Sequence, residues 1–211
     1  MFTGIIQDIG EVQSAVRREG NLILRINSDR LAGKLQIGSS VSINGACQTV
    51  IEVRENAFAV EAISETLEKT NLRNLKASSK VNLELPLTPQ SMLDGHLVQG
   101  HVDCTGKISK IARSSGSVLL SIEYPPLFDK YVIDKGSVAV DGVSLTIVNA
   151  MNGKFEIAII PHTLKNTILV NKKIGDIVNL EFDMIAKYIE RQASPEKKEL
   201  TLDFLKEHGF S

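Results

Sequence analysis

The sequence predicts an all-β protein: two tandem, similar barrels of about six antiparallel strands each, followed by an α-helical tail. Three observations predict it. Most of the 211-residue chain repeats itself at a spacing of 97 residues. The apolar runs inside each repeat are short, β-branched and bounded by Gly, Asn, Asp or Ser. A helical apolar stripe follows once the second repeat has ended.

The repeat is legible in four pairs of segments. Asn44-Gly45-Ala46-Cys47-Gln48-Thr49 matches Asp141-Gly142-Val143-Ser144-Leu145-Thr146, and Gly38 to Gly45 matches Gly136 to Gly142 with one gap. Phe58 to Leu67 matches Phe155 to Leu164, and Val81-Asn82-Leu83-Glu84 matches Val178-Asn179-Leu180-Glu181. At the front, Gly4 and Gly10 match Gly100 and Gly106 at a spacing of 96. Two copies of this length are too few and too long for a solenoid, so they read as two domains of one fold. The similar stretches span about 1–87 and 97–183 and join near Pro86-Leu-Thr-Pro89. The expected division is 1–96, 97–183 and a tail at 184–211.

Within the repeats, Leu22–Ile26, Val41–Ile43, Val118–Ile122 and Phe155–Ile160 read as strands. Asn44-Gly45 and Asp141-Gly142 read as tight hairpin turns, because glycine tolerates the positive φ such turns need. Alternation in the strands that follow puts Cys47 with Thr49, and Ser144 with Thr146, on one face. Closing about six strands into a barrel leaves no exposed sheet edge. Thr66–Leu72 and Thr163–Leu169 are each expected to form one short helix with the threonine as N-cap. In the tail, Met184–Gln192 places Ile185, Tyr188 and Ile189 on one helical face. Ser194-Pro195 then reads as the start of a second helix running to about Lys206. A helix following two complete barrels has no core of its own to cover, which makes it a candidate oligomerisation element.

Composition excludes several classes. A net charge of −1 and 5% aromatic residues with no Trp argue against nucleic acid. No apolar run approaches the roughly 18 residues that span a bilayer. The start at Met1-Phe2-Thr3-Gly4 carries no signal-peptide pattern, and a cytoplasmic location is expected. Cys47 and Cys104 are then expected to be free thiols. P-loop, dinucleotide-binding and nucleophile-elbow motifs are absent. His96 and His101 lack the partners of a metal cage, so no metal is expected.

The chemistry is sought where the two repeats disagree. Cys47 stands against Ser144, Ile5 against His101, Glu65 against His162 and Pro86 against Asp183. Histidine is the side chain best suited to proton transfer near neutral pH. Each of these positions also has a structural reading: a satisfied imidazole, a hydroxyl flanking a turn, a small buried thiol. Two related pockets with different polar groups suit two related ligands in different chemical roles. Holding both in contact contributes up to roughly 7–11 kcal/mol of the barrier.

Met1-Phe2-Thr3-Gly4-Ile5, the paired turns, and Gly95-His96-Leu97-Val98-Gln99-Gly100-His101-Val102-Asp103 together resemble the riboflavin synthases of the α type, which carry two lumazine-binding repeats. The resemblance covers about residues 1–190. It implies Greek-key barrels, and dismutation of two 6,7-dimethyl-8-ribityllumazine molecules to riboflavin and 5-amino-6-(D-ribitylamino)uracil, with no cofactor or metal. It implies a homotrimer assembled through the C-terminal helix, with each site between the first barrel of one subunit and the second barrel of its neighbour. Lumazine synthase, which makes the substrate, is a further candidate partner.

Carried over by motif, the first-barrel pocket uses Gly4, Ile5, Ile6, Cys47, Gln48, Thr49 and Glu61, Ala62, Ile63, Ser64, Glu65, Thr66. The second uses Gly100, His101, Val102, Lys135, Ser144, Leu145, Thr146 and Ala158, Ile159, Ile160, Pro161, His162, Thr163. Ser144 and His101 are expected to act on the lumazine that loses a methyl proton, supported by Thr146 and Asp183. Cys47 is expected in the other pocket as nucleophile or polar lining, with Phe2 and Thr3 closing the first-barrel pocket. The rival is a non-catalytic lumazine- or flavin-binding antenna protein on the same doubled barrel.

Overall fold

A computed structural model describes residues 1–114 and 116–193, together with Gly209. The first repeat forms β1 (Asp8–Arg18), β2 (Asn21–Asn27), β3 (Ser40–Ile43), β4 (Ala46–Arg54), β5 (Ala57–Ala62) and β6 (Lys80–Glu84). They close into a barrel in the order β1-β2-β5-β4-β3-β6, every neighbouring pair antiparallel. The second repeat forms β7 (Cys104–Arg113), β8 (Val118–Glu123), β9 (Ser137–Val140), β10 (Val143–Met151), β11 (Lys154–Ile159) and β12 (Ile177–Phe182). These close in the equivalent Greek-key order, β7-β8-β11-β10-β9-β12.

Each barrel is filled from within. Leu24, Ile26, Ile43, Phe58 and Leu83 are buried in the first core, and Ile108, Leu120, Phe155 and Phe182 in the second. The alternation expected of β4 and β10 holds. Val143 and Ile147 are buried, whereas Ser144 is half-buried and Thr146 exposed. Cys47 and Thr49, like Ser144 and Thr146, therefore lie on the outer wall of their barrel, not in its lumen.

Both tight turns are as expected, with positive φ at Asn44 (47°) and Gly45 (81°), and at Asp141 (45°) and Gly142 (80°). The sequence did not announce that the turns pack against each other. A Cβ on Gly142 would lie 2.7 Å from the Gly45 nitrogen, and one on Gly45 would lie 2.7 Å from the Gly142 nitrogen. Around this contact the repeated asparagines exchange equivalent bonds between barrels. Asn82 Nδ2 donates to the Asp141 carbonyl (2.9 Å), and Asn179 Nδ2 to the Asn44 carbonyl (2.8 Å). The buried Asp141 carboxylate pairs with Lys172 Nζ at 2.7 Å. The two barrels are thus related by a pseudo-twofold axis through the turns.

The short helices begin earlier than expected. α1 is Ser64–Lys69 and α2 is Pro161–Lys165, with Ile63 and Ile160 at the N-cap positions. Thr66 and Thr163 sit inside them and cap nothing. The carbonyls of Thr66 and Thr163 accept instead from Thr70 Oγ1 (2.7 Å) and Thr167 Oγ1 (2.8 Å).

The tail helix α3 spans Met184–Ala193, with the Asp183 carboxylate accepting from the Ile185 N–H (2.9 Å) as its cap. Lys187 pairs with Asp103 (2.6 Å), which ties α3 to the second barrel, and Ile185, Tyr188 and Ile189 remain exposed. The expected second helix from Ser194 to Lys206 lies outside the described residues. No helix among those described is long and apolar enough to cross a membrane.

Candidate functional site

Two loops carry the site, and each crosses to the other barrel. The N-terminal loop is held by Glu84 on β6, which accepts from Thr3 N (2.7 Å), Thr3 Oγ1 (2.7 Å) and Gly4 N (3.1 Å). The same loop then reaches the second barrel, where Ser144 N donates to the Gly4 carbonyl at 2.8 Å. The inter-barrel loop mirrors it. Glu181 on β12 accepts from Gln99 N (2.6 Å) and Gly100 N (3.0 Å), while Cys47 N donates to the Gly100 carbonyl at 2.8 Å. A Cβ on Gly4 or Gly100 would lie 2.6 Å from the Cβ of Ser144 or Cys47 respectively, so both positions exclude side chains. Burial raises both carboxyls: Glu84 is shifted upward, and Glu181 reaches about 7.

The crossing corrects the grouping of the predicted residues. Gly100, His101 and Val102 do not stand with Ser144; they line a cavity of about 220 Å³ with Cys47, Gln48, Glu65 and Thr66 of the first barrel. Gly4 does not stand with Cys47 but against Ser144, and Ile6 lines a cavity of about 400 Å³ with His162 of the second barrel. The expected Ser144–His101 pairing is therefore absent within one chain. Phe2 and Thr3 do not form a lid either. Phe2 is fully buried, bridged to Val98, and forms with Val98 and Ala139 an apolar partition behind Cys47.

The imidazole beside Ser144 is His96, whose Nδ1 lies 2.7 Å from Ser144 Oγ. Sequence comparison was blind to it, because its counterpart in the first repeat would precede Met1. His96 is 9% exposed, and its Nε2 has no partner among the described residues. Burial pushes its pKa below the ordinary 6.5, against the opposing charge of Asp183. Asp183 therefore lies within electrostatic reach of the Ser144 pair. Gly95 completes this corner: a Cβ there would run into the Thr3 carbonyl and the Ser144 side chain.

The remaining predicted residues follow the barrel walls. Thr49 and Thr146 are exposed, two residues beyond Cys47 and Ser144 on the same faces. Glu61, Ile63, Ser64, Ala158, Ile160 and Pro161 are exposed and line neither cavity, whereas Ala62 and Ile159 turn into the cores. Ile5 is exposed next to Gly4, and Leu145 packs on the second core. Lys135 lines neither cavity. It sits in the turn before β9 with φ 63°, and its N–H bonds the Ile147 carbonyl as that of Gly38 (φ 88°) bonds Val50, so Gly38 corresponds to Lys135 and not, as the gapped match has it, to Gly136. Glu84 and Glu181 were missed as loop anchors, although the repeated Val-Asn-Leu-Glu carried the signal. Among the described residues, no group of His, Cys, Asp and Glu could hold a metal ion. A separate cavity of about 590 Å³ at the inter-barrel seam, lined by Asn44, Asn71 and Lys172, contains none of the predicted residues.

Residues 3–86 and 99–183 each match the family of the lumazine binding domain. Over its whole length the chain is 40% identical to the riboflavin synthase of Actinobacillus pleuropneumoniae and 39% identical to that of Bacillus subtilis (strain 168), each covered in full. Among solved structures, LumP complexed with 6,7-dimethyl-8-(1'-D-ribityl) lumazine superposes with a TM-score of 0.79 at 20% identity, over 86% of this chain and 99% of that one. At that identity the superposition speaks for the fold alone.

Proposed function

Because the chain belongs to the riboflavin synthase family, we propose that its two outer-wall pockets each hold one 6,7-dimethyl-8-ribityllumazine, and that the two react by dismutation. One lumazine gives a four-carbon unit to the other, yielding riboflavin and 5-amino-6-(D-ribitylamino)uracil. The observation that carries the reading is the pair of like-built pockets with unlike polar groups. Cys47, Glu65 and His101 line one and Ile6 and His162 the other, while the Ser144–His96 pair stands at the Gly4 crossing on the second barrel, outside the lining of either cavity.

The chemistry divides between them. A lumazine must lose a proton from its 7-methyl group, and a second must be attacked at a ring carbon. Neutral His96 accepts the proton of Ser144 through Nδ1, so the serine oxygen serves as base or as nucleophile toward the lumazine in the second pocket. Asp183 favours the imidazolium that forms. Thr146 and the backbone of the Ala158–Thr163 segment hold the ring and ribityl chain there. Cys47 and His101 face the lumazine in the first pocket, held by Gln48, Thr49 and the Glu61–Thr66 segment. Lys135 reaches a ligand only from a neighbouring chain.

Among the described residues, none lines both pockets, and buried Phe2, Val98 and Ala139 pack behind Cys47. The two lumazines therefore meet between chains, the first barrel of one against the second barrel of the next. The exposed Ile185, Tyr188 and Ile189 face of α3 suits the helix contact of a trimer. Lumazine synthase remains a candidate partner as the source of substrate.

The test is to mix purified protein with 6,7-dimethyl-8-ribityllumazine and EDTA, add no cofactor, and follow flavin absorbance. Flavin is expected to form. Tight binding without turnover would favour the antenna reading, and neither binding nor turnover would exclude both.

A further inference from the structure

The stretch Gln99–Asp103 is a bracket with both feet on β12. Gln99 N and Gly100 N donate to the Glu181 carboxylate (2.6 and 3.0 Å), and Asp103 N donates to the Leu180 carbonyl (2.9 Å). Between the feet the chain reaches the first barrel. The Gly100 carbonyl accepts from Cys47 N, His101 lines the first cavity, and Val102 packs on the first core. The Asp103 carboxylate fastens the second foot. Its Oδ2 accepts from Phe182 N (2.8 Å), one residue before Asp183. Lys187 Nζ, on α3, lies 2.7 Å from Oδ1 and 2.6 Å from Oδ2. One carboxylate thus joins the loop that presents His101 to the segment that presents Asp183. Lys187 also opposes the rise that burial and Asp103 impose on the Glu181 carboxyl, which helps to keep the first foot ionised.

Closing a barrel does not require this arrangement. In the first repeat Gln7 stands where the second has Asp103, and its Oε1 accepts from Leu85 N at 3.3 Å, the equivalent backbone bond. Pro86 follows where the second repeat has Asp183. The charge and its lysine are therefore additions to the common frame. α3 depends on them, because none of its residues is buried. Lys187–Asp103 and Lys130–Glu190 (3.5 Å) are the ion pairs that hold it to the second barrel. Asp183 caps α3 through the Ile185 N–H, so its carboxylate follows the first turn of the helix.

We propose that the Asp103–Lys187 pair is a positioning device for the reaction, setting His101 in the first pocket and Asp183 near the Ser144–His96 pair from a single point. Asp103 and Lys187 line neither cavity, so both are positioning residues. The proposal rests on the reading that two lumazines react at these groups.

The test is a double-variant cycle in the full-length chain. Lys187→Met keeps the aliphatic stem and removes the charge. Asp103→Asn removes the charge and keeps an oxygen to accept from Phe182 N. Each is expected to lower kcat about tenfold, inside the ~10²-fold that a 1 Å misplacement can cost. KM for 6,7-dimethyl-8-ribityllumazine should stay within about threefold of wild type, because the pocket walls remain. The double variant should be no worse than the poorer single, since both break one interaction. Lys187→Arg, which keeps the pair, should turn over within about twofold of wild type. NMR titration of the His96 imidazole in the ligand-free chain is the second measurement. Burial lowers the His96 pKa and the Asp183 charge holds it up. In Lys187→Met the value should fall below wild type as Asp183 recedes, whereas mere loss of a positive charge would raise it. A pair that only stabilises α3 predicts a lower melting temperature with kcat per folded chain and the His96 pKa unchanged. That result, single effects that add, or a His96 pKa that rises would overturn the proposal. Failure of the wild-type chain to turn over lumazine would instead strike the functional reading beneath it.

Discussion

Replacing Ser144 with alanine is expected to lower lumazine turnover at least ~10²-fold, the span of general acid–base catalysis, while lumazine still binds. His96→Ala is expected to do the same, and the double variant should be hardly worse than either single. The two side chains form one hydrogen-bonded unit at 2.7 Å, and residues that act as a unit do not lose activity additively. The pH profile follows from the sign of the His96 shift. Burial lowers its pKa below 6.5, so the imidazole is neutral at pH 7 and able to accept a proton. Wild-type turnover should hold through neutrality and fall only as acid protonates His96 below that value. In Ser144→Ala this limb should be lost from the residual rate. Turnover of either single variant within a few fold of wild type would remove the pair from the chemistry.

Gly142→Ala is expected to destabilise the fold strongly. Its φ of 80° costs an alanine roughly 1–2 kcal/mol, and the added Cβ meets the Gly45 backbone at 2.7 Å, where nothing can swing aside. Overpacking typically adds a further 1–3 kcal/mol. The loss falls on the seam between barrels, because each barrel keeps its own core. Calorimetry should show a lowered first transition that separates from a second, as the barrels uncouple before they melt. Gly38→Ala is the control: its φ is 88° but nothing lies within 4 Å of the added Cβ. The second repeat already carries Lys135 at that place. A Gly142→Ala chain that melts like Gly38→Ala would contradict the turn-to-turn account.

The fold was legible because a repeat and a strand pattern are local properties. Asn44-Gly45 and Asp141-Gly142 dictate their turns through backbone sterics, and the alternation from Cys47 to Thr49 and from Ser144 to Thr146 dictates a face. The helix starts were misread because Thr66 and Thr163 are good caps in isolation, yet the chain turned into helix earlier, at Ser64 and Pro161.

The grouping of site residues was not legible, for a reason of symmetry. Gly4 and Gly100 occupy equivalent places, so an arrangement in which each loop serves its own barrel and one in which each serves the other give the same sequence pattern. Only the seam decides, through Ser144 N on the Gly4 carbonyl and Cys47 N on the Gly100 carbonyl. His96 is visible in the sequence only as an incomplete metal ligand, because without a counterpart in the first repeat nothing pairs it with Ser144.

The central claim is that each reaction needs the first pocket of one chain and the second pocket of another. Mixing two disabled chains tests it most directly: His101→Gln, defective in the first pocket, and Ser144→Ala, defective in the second, dissociated and reassembled together. Mixed assemblies contain interfaces where an intact first pocket from the Ser144→Ala chain meets an intact second pocket from the His101→Gln chain. Turnover of the mixture is expected to rise well above that of either parent. A mixture no more active than its parents, with mixed assemblies demonstrably formed, would contradict the account.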